Sequence, residues 1–343
     1  MRTCEQSGWL PIRNGSQFSR FCNRNGIMGA FNGKEGDCTV RNGKVLLLAN
    51  PAAQRGNGSR LAEVAYDLLV DWLGDGAVDF ALTQKPGHAI DLIDRMTASH
   101  STVLALGGDG LVHEVVNGLM RLPRSDRPVF GVLPAGSGND FARTLGMVDC
   151  IPDAIVQLLD AQERQFDVGC CNGEYFAETL SFGLDAAIAL DTVARRERTG
   201  QQGARLYRAS GIDQLLHHLD TYRFSATLDG ERELSGAVHL FAVQNGVTYG
   251  GGFRICPDAD PCDGLFDICY AEAPMNIPTA TFKFLRAKNG KHVKYKGICF
   301  DRASSIELRF DTRPPCQIDG EPHVADSYSI SLEHQAISVL SAR

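Results

Sequence analysis

What this chain lacks narrows the field before any motif is considered. Nothing in its 343 residues approaches the roughly 18 consecutive apolar residues of a membrane-spanning helix. The main pattern opens on a run of only five, Val45-Leu46-Leu47-Leu48-Ala49. Integral membrane insertion is therefore not expected. Positive charge is in short supply, with 34 Lys and Arg against 41 Asp and Glu for a net −7. That excludes a general nucleic-acid binder, which needs a basic face to neutralise phosphates. The eleven cysteines contain no Cys-x-x-Cys pair, and an odd number scattered over a long chain makes no disulfide framework. They are expected as free thiols in the cytoplasm. No apolar signal-peptide core opens the sequence, so the sequons at Asn14 and Asn57 are not expected to carry glycans.

What is present is an ordinary globular balance, 43% hydrophobic and 22% charged, at a length that suggests two domains. Residues 1–43, rich in Gly, Asn, Arg and Ser without hydrophobic periodicity, are expected to be a disordered extension. From Lys44 to about residue 163, strand and helix patterns alternate. Strands are expected at 45–49, 77–82, 102–106 and 129–133, with helices at 59–72 (capped by Ser59), 88–96, 111–120 and 152–161. Such alternation predicts a parallel sheet covered by helices, with ligands at the carboxyl ends of strands. Residues 164–322 are richer in β pattern, including a single strand at 174–182, and are interrupted by a helical stretch over 185–220.

Two glycine-rich turns end successive strands. Gly107-Gly108-Asp109-Gly110 lets backbone approach a ligand closely while a helix N-terminus points at it, the natural form of a phosphate cradle. Asp109 would repel phosphate unless it holds Mg²⁺ or accepts a hydroxyl proton, and its bland reading is a helix cap. Pro134-Ala135-Gly136-Ser137-Gly138-Asn139-Asp140 repeats the arrangement. Asn50-Pro51 and the loop after it form a weaker third candidate. None is a Walker A loop, and no Gly-x-Ser-x-Gly elbow is present there. Asp258 to Gly264 imitates a calcium loop, but Ala259 stands where the first ligand should be.

The segments Gly107 to Leu119 and Leu133 to Arg143 resemble the diacylglycerol kinase catalytic-domain family, which includes bacterial diacylglycerol kinases, sphingosine kinases and ceramide kinases. Further ordered matches are Phe182-Gly183-Leu184-Asp185, Asn245, Tyr249-Gly250-Gly251-Gly252-Phe253, Asp263-Gly264-Leu265-Phe266-Asp267 and Asp319-Gly320-Glu321. The resemblance covers about Lys44 to Leu340. It implies an α/β plus β fold: a Rossmann-like nucleotide domain over 44–163, completed by 323–343, and a β-sandwich lipid-substrate domain over 164–322. It also implies an ATP- and Mg²⁺-dependent lipid kinase acting on diacylglycerol or a sphingoid or ceramide-type lipid. Asn50, Gly107, Gly108, Gly110, Gly136, Ser137, Gly138 and Asn139 would bind nucleotide. Asp263, with the Leu265 carbonyl, would hold a structural Mg²⁺. Catalysis would fall to Asp319 and Glu321 in one turn and to Asp109, with Glu321 the candidate base and Asp109 its competitor.

One departure is Leu111, where the family usually has Thr. It leans toward sphingosine kinases, while Asp140-Phe141-Ala142-Arg143 resembles bacterial diacylglycerol kinases. The alternatives are an NAD kinase-like enzyme, which shares Gly-Gly-Asp-Gly, or a non-catalytic lipid-binding module. Expected partners are a lipid substrate and, through peripheral association, an anionic membrane; a homodimer stays open. For the membrane the notable stretches are Arg195 to Arg208, with five arginines and one acid, and Lys283 to Lys296, with six cations and none. Lys288, Lys291 and Lys294 are the expected docking residues.

Overall fold

The computed structural model describes residues 43–200 and 204–342; the expected N-terminal extension lies outside them except for its last residue. Five buried aliphatic residues in succession make β1 (Val45–Ala49), the pattern of a strand covered on both faces. Beside it β2 (Val78–Leu82), β3 (Thr102–Gly107) and β4 (Val129–Pro134) run parallel, in the order β2-β1-β3-β4. Helices α1 (Gly58–Leu73), α2 (His88–Met96), α3 (Asp109–Arg121), α4 (Asp140–Thr144) and α5 (Ile151–Asp160) follow these strands. Ser59 does not cap α1. The turn before the helix is left-handed at Gln54 and Arg55, and α1 starts at Gly58, where a side chain would meet the Asn50 carbonyl at 2.1 Å.

The second half is antiparallel. Its strands are β5 (Gln162–Cys171), β6 (Glu174–Phe176), β7 (Thr179–Gly183), β8 (Tyr222–Leu228), β9 (Arg232–Gln244), β10 (Phe266–Glu272), β11 (Ile298–Ala303), β12 (Ser305–Phe310), β13 (Cys316–Ile318), β14 (Glu321–Pro322) and β15 (Ser327–Ser341). Helices α6 (Leu184–Thr199), α7 (Ala204–His217) and α8 (Ile277–Ala287) pack with it. The expected strand 174–182 is broken at Ala177-Glu178, whose amides turn away to the Asp319 carboxylate. Helix α8 was not anticipated, although Asn276, which caps the Thr279 amide at 2.9 Å, and Pro278 in the first turn are ordinary start signals.

The domain boundaries need correction. Strands β5 and β15 pair with each other and both cross between the halves. Phe166, Ile337, Val339 and Leu340 lie in the first core, whereas Cys171, Tyr328 and Ile330 lie in the second. Val339 pairs with Phe130 of β4, while 327–331 pair with β12. The halves therefore change over within paired strands, at the irregularity between Glu333 and Ile337, and not at residues 163 and 322.

Candidate active site

A cleft of about 940 Å³ opens between the halves. Its floor is made by the two glycine turns, and they are joined to each other. A side chain on Gly108 would meet the Gly136 Cα at 2.9 Å, and one on Gly136 would meet the Gly108 Cα at 2.4 Å, so backbone lies on backbone. Asp109 completes the junction. It opens α3, yet its carboxylate caps the neighbouring helix: Oδ2 accepts the Asn139 amide at 2.9 Å and Oδ1 the Asp140 amide at 2.8 Å. Burial, with Asp140 and Asp319 nearby, pushes the Asp109 carboxyl up to about 7 against the pull of those two amides.

Asn139 stands in the left-handed region, with φ 55°. Its Oδ1 accepts the Gly136 amide at 2.8 Å and its Nδ2 donates to Asp149 at 3.0 Å. The sequence assigned Gly136 through Asn139 to phosphate binding. The structure instead spends the amides of Gly136 and Asn139 on holding the loop. Those of Gly108, Gly110, Ser137 and Gly138 have no intramolecular acceptor among the described residues, and all four residues line the cleft. Gly107 lies beneath, with Leu111 packed on it, so the residue in place of the family's Thr is buried packing. Asn50 lines the cleft and turns its Oδ1 to the Ala52 amide at 2.9 Å.

The turn Asp319-Gly320-Glu321 comes over this floor from the second half. Asp319, at φ 47°, accepts the amides of Ala177 (2.7 Å), Glu178 (3.0 Å) and Thr179 (2.9 Å). It holds the break between β6 and β7 and is a positioning residue, which corrects its place among the catalytic groups. Glu321 is exposed, and its Oε1 lies 3.4 Å from where a Cβ on Gly110 would be. The structure thus brings Glu321 to the N-terminus of α3, beside Asp109.

Beneath the turn lies a relay that the sequence reading missed. His113 on α3 places Nε2 3.3 Å from Glu174 and Nδ1 3.6 Å from Asp319, while the Glu174 carboxylate accepts from His323 Nδ1 at 2.8 Å. Burial alone would lower the His113 pKa; the two carboxylates outweigh it and raise it to about 10, so the imidazolium joins α3 to β6 and to the turn between β13 and β14. Glu178 was missed as well. It is buried, lines the cleft, and neither carboxyl oxygen has a hydrogen-bond partner among the described residues. Burial, with the Asp140, Asp319 and Asp109 carboxylates nearby, raises its pKa well above the usual range.

Asp263 and Leu265 are not brought to the cleft. Asp263 accepts its own turn's Leu265 amide at 3.0 Å and pairs with Arg302. No cluster of three metal-ligating His, Cys, Asp or Glu side chains exists among the described residues. With one oxygen on an amide and the other on a guanidinium, Asp263 does not fit the structural Mg²⁺ role. The turn is instead held by buried Asp167, which accepts the Gly264 amide at 2.7 Å, contacts His334 at 2.8 Å and accepts the Gln335 amide at 2.6 Å.

The glycine loop Tyr249 to Phe253 completes the wall. The Asp140 carboxylate accepts the amides of Gly251 and Gly252, each at 2.7 Å, and Arg143 at 2.8 Å. Lys288 donates to the Gly251 carbonyl at 2.6 Å and sits 5.0 Å from the Phe253 ring centroid. Lys288 is therefore part of the cleft wall and is not a free docking cation.

Comparison with known proteins matches the two halves to two domain models. Residues 44–171 match the diacylglycerol kinase catalytic domain, and residues 178–341 match the YegS C-terminal NAD kinase beta sandwich-like domain. A Chromohalobacter salexigens protein named "Probable lipid kinase YegS-like" is 30% identical over 277 residues, 80% of this chain and 83% of its own. A Bacillus subtilis diacylglycerol kinase is 29% identical over 220 residues, 64% of this chain and 70% of its own. The crystal structure of a Bacillus anthracis diacylglycerol kinase shares the fold, with a TM-score of 0.71 at 22% identity, covering 87% of this chain and 96% of the other. With its two halves matching these two domain models in order, the chain belongs to the YegS-like and diacylglycerol kinase family of lipid kinases.

Proposed function

We propose that the protein transfers the γ-phosphoryl group of ATP to a hydroxyl of diacylglycerol or of a sphingoid or ceramide-type lipid. The observation that carries this reading is the placement of an exposed carboxylate, Glu321, over the helix N-terminus where two glycine turns leave four amides unpaired. Phosphoryl transfer needs little covalent chemistry from a protein and much positioning and charge stabilisation.

The amides of Gly108, Gly110, Ser137 and Gly138 bind the phosphates, assisted by the positive end of α3. Mg²⁺ carried with ATP supplies charge neutralisation on the phosphate oxygens. Glu321 accepts the proton of the lipid hydroxyl as that oxygen bonds to the γ-phosphorus and the bond to the ADP oxygen breaks. Asp109 is the poorer base, because both its oxygens already accept amides; its work is to lock the two turns together. On the side of the second half, Ala189, Val193 and Leu206 give the cleft an apolar wall suited to acyl chain.

The test is transfer of radiolabel from γ-labelled ATP to a mixed lipid extract dispersed in detergent and, in a parallel reaction, to NAD⁺, with the product identified by mass spectrometry. Labelled lipid is expected. Label on NAD⁺ but on no lipid, or none anywhere, would overturn the reading. Glu321→Gln is expected to slow single-turnover transfer by about 10² to 10⁴ while ATP affinity stays within about threefold. An unchanged rate would remove Glu321 as the base.

A further inference from the structure

Helix α8 has apolar residues on two faces, and only one is covered. Ala280, Phe284 and Ala287 face inward, with the Phe284 ring stacked 5.1 Å from that of Phe253. On the outer side Phe282 and Leu285 are 46% and 50% exposed, far more than side chains of this size ordinarily are. Cations surround them. The Arg286 guanidinium lies 5.3 Å from the Phe282 ring centroid, and the Tyr295 ring meets Phe282 edge-on at 5.2 Å, which places the chain segment around Lys294 and Lys296 beside the same face. Lys291, Lys294 and Lys296 are exposed, and no acidic residue occurs from Ile277 to Lys296. Lys288, just past the end of α8, reaches from its inner side to the Gly251 carbonyl, so the end of the helix is tied to the glycine loop that lines the cleft.

We propose that the outer face of α8 and the 291–296 turn dock the enzyme on an anionic lipid surface, with Phe282 and Leu285 entering the interface and Arg286, Lys291 and Lys294 meeting the headgroups. The inference rests on the lipid-kinase reading above and adds the place from which the substrate is taken. Charge complementarity selects this occupant: a patch that is apolar at its centre, cationic around it and free of acids in its segment suits a negatively charged interface. The other cationic stretch fits less well, since Arg195 is already paired with Asp191 and Asp213.

The full chain is tested by co-sedimentation with phosphatidylcholine vesicles, with and without phosphatidylglycerol, at low and high salt. Binding is expected only with the anionic lipid, and salt should weaken it. Lys291→Glu with Lys294→Glu should weaken it by at least about thirtyfold. Phe282→Ser with Leu285→Ser should weaken it by about tenfold. Both pairs should keep the melting temperature and the transfer to detergent-dispersed lipid.

Binding that ignores anionic lipid, or variants that bind like the parent, would overturn the proposal. So would light scattering showing that the serine pair turns a dimer into a monomer, which would make this face an interface between copies. A parent that binds vesicles yet transfers nothing in detergent would sink the kinase reading and leave the docking surface standing.

Discussion

At Asp319 the backbone is left-handed and the carboxylate meets three amides; two residues on, Glu321 is exposed and leans over Gly110. In sequence the two look interchangeable, and only the direction of the turn separates a clamp from the base proposed above. His113 ties this turn to α3, and its proton gives a pH signature. Its pKa rises from about 6.5 in the unfolded chain to about 10 in the fold. Between those values the native state binds more protons than the unfolded one, so stability falls as pH rises. The contribution is complete below about pH 6.5 and gone above about pH 10, and is of order a few kcal/mol. His113→Gln is therefore expected to flatten the decline of melting temperature between pH 7 and 10, relative to the parent. A parallel decline in both proteins would show that the ion pairs with Glu174 and Asp319 store nothing. Asp109 was singled out in the sequence by the glycines around it, whereas Glu321 was named only through the family resemblance, its turn reading on its own residues as a solvated hairpin. His113, Glu174, Glu178 and His323 were not legible: His323 and Glu174 meet across 149 residues, and no local spacing carries such a contact.

Among elements, the parallel strands were the most readable, since a strand buried on both faces writes its burial as an unbroken apolar run. Helix α8 was passed over because its second half was read as the start of one cationic stretch over 283–296; its own two cations, Lys283 and Arg286, are not among the residues Ala280, Phe284 and Ala287 that it turns inward. The glycine turns were read as close approaches of backbone to a ligand, and the structure shows a close approach of backbone to backbone. Gly136→Ala tests this. The added methyl would stand 2.4 Å from the Gly108 Cα and 2.7 Å from Asn139 Oδ1, and the nearer of these atoms is main chain that cannot swing aside. Overpacking of that kind is expected to cost about 2 kcal/mol, seen in urea unfolding, and to weaken ATP binding at least about tenfold by spreading the two turns. Gly56→Ala makes the contrast: it stands at φ +85° with no neighbour within 4 Å, so its cost is backbone strain alone and ATP affinity should change little. Equal effects of both substitutions on ATP affinity would refute the close-approach argument.

For the whole molecule, the sheet runs from one half into the other through β15, and the cleft depends on how the halves are fastened across it. Asp140 is the fastening nearest the chemistry. Its backbone amide belongs to the glycine-turn floor, held by Asp109, while its carboxylate holds Gly251 and Gly252 of the opposite wall. All three glycines of that wall, Gly250 to Gly252, have positive φ, so the loop has little preference of its own for this shape and takes it from the acceptor it is offered. Asp140→Asn keeps the size but replaces one acceptor oxygen with a donor, so one of the two glycine amides faces an N–H and the Arg143 ion pair is lost. Hydrogen exchange at 250–253 is expected to accelerate by about tenfold to a hundredfold, the loss of a hydrogen bond to a charged acceptor. The melting temperature should fall by a few degrees. If the wall must be in register with the floor for the lipid hydroxyl to reach Glu321, kcat should drop by more than about tenfold while ATP affinity changes little. Fast exchange at the loop with an unaltered kcat would mean that the wall moves independently of the chemistry, and that β5 and β15 alone set the register of the two halves.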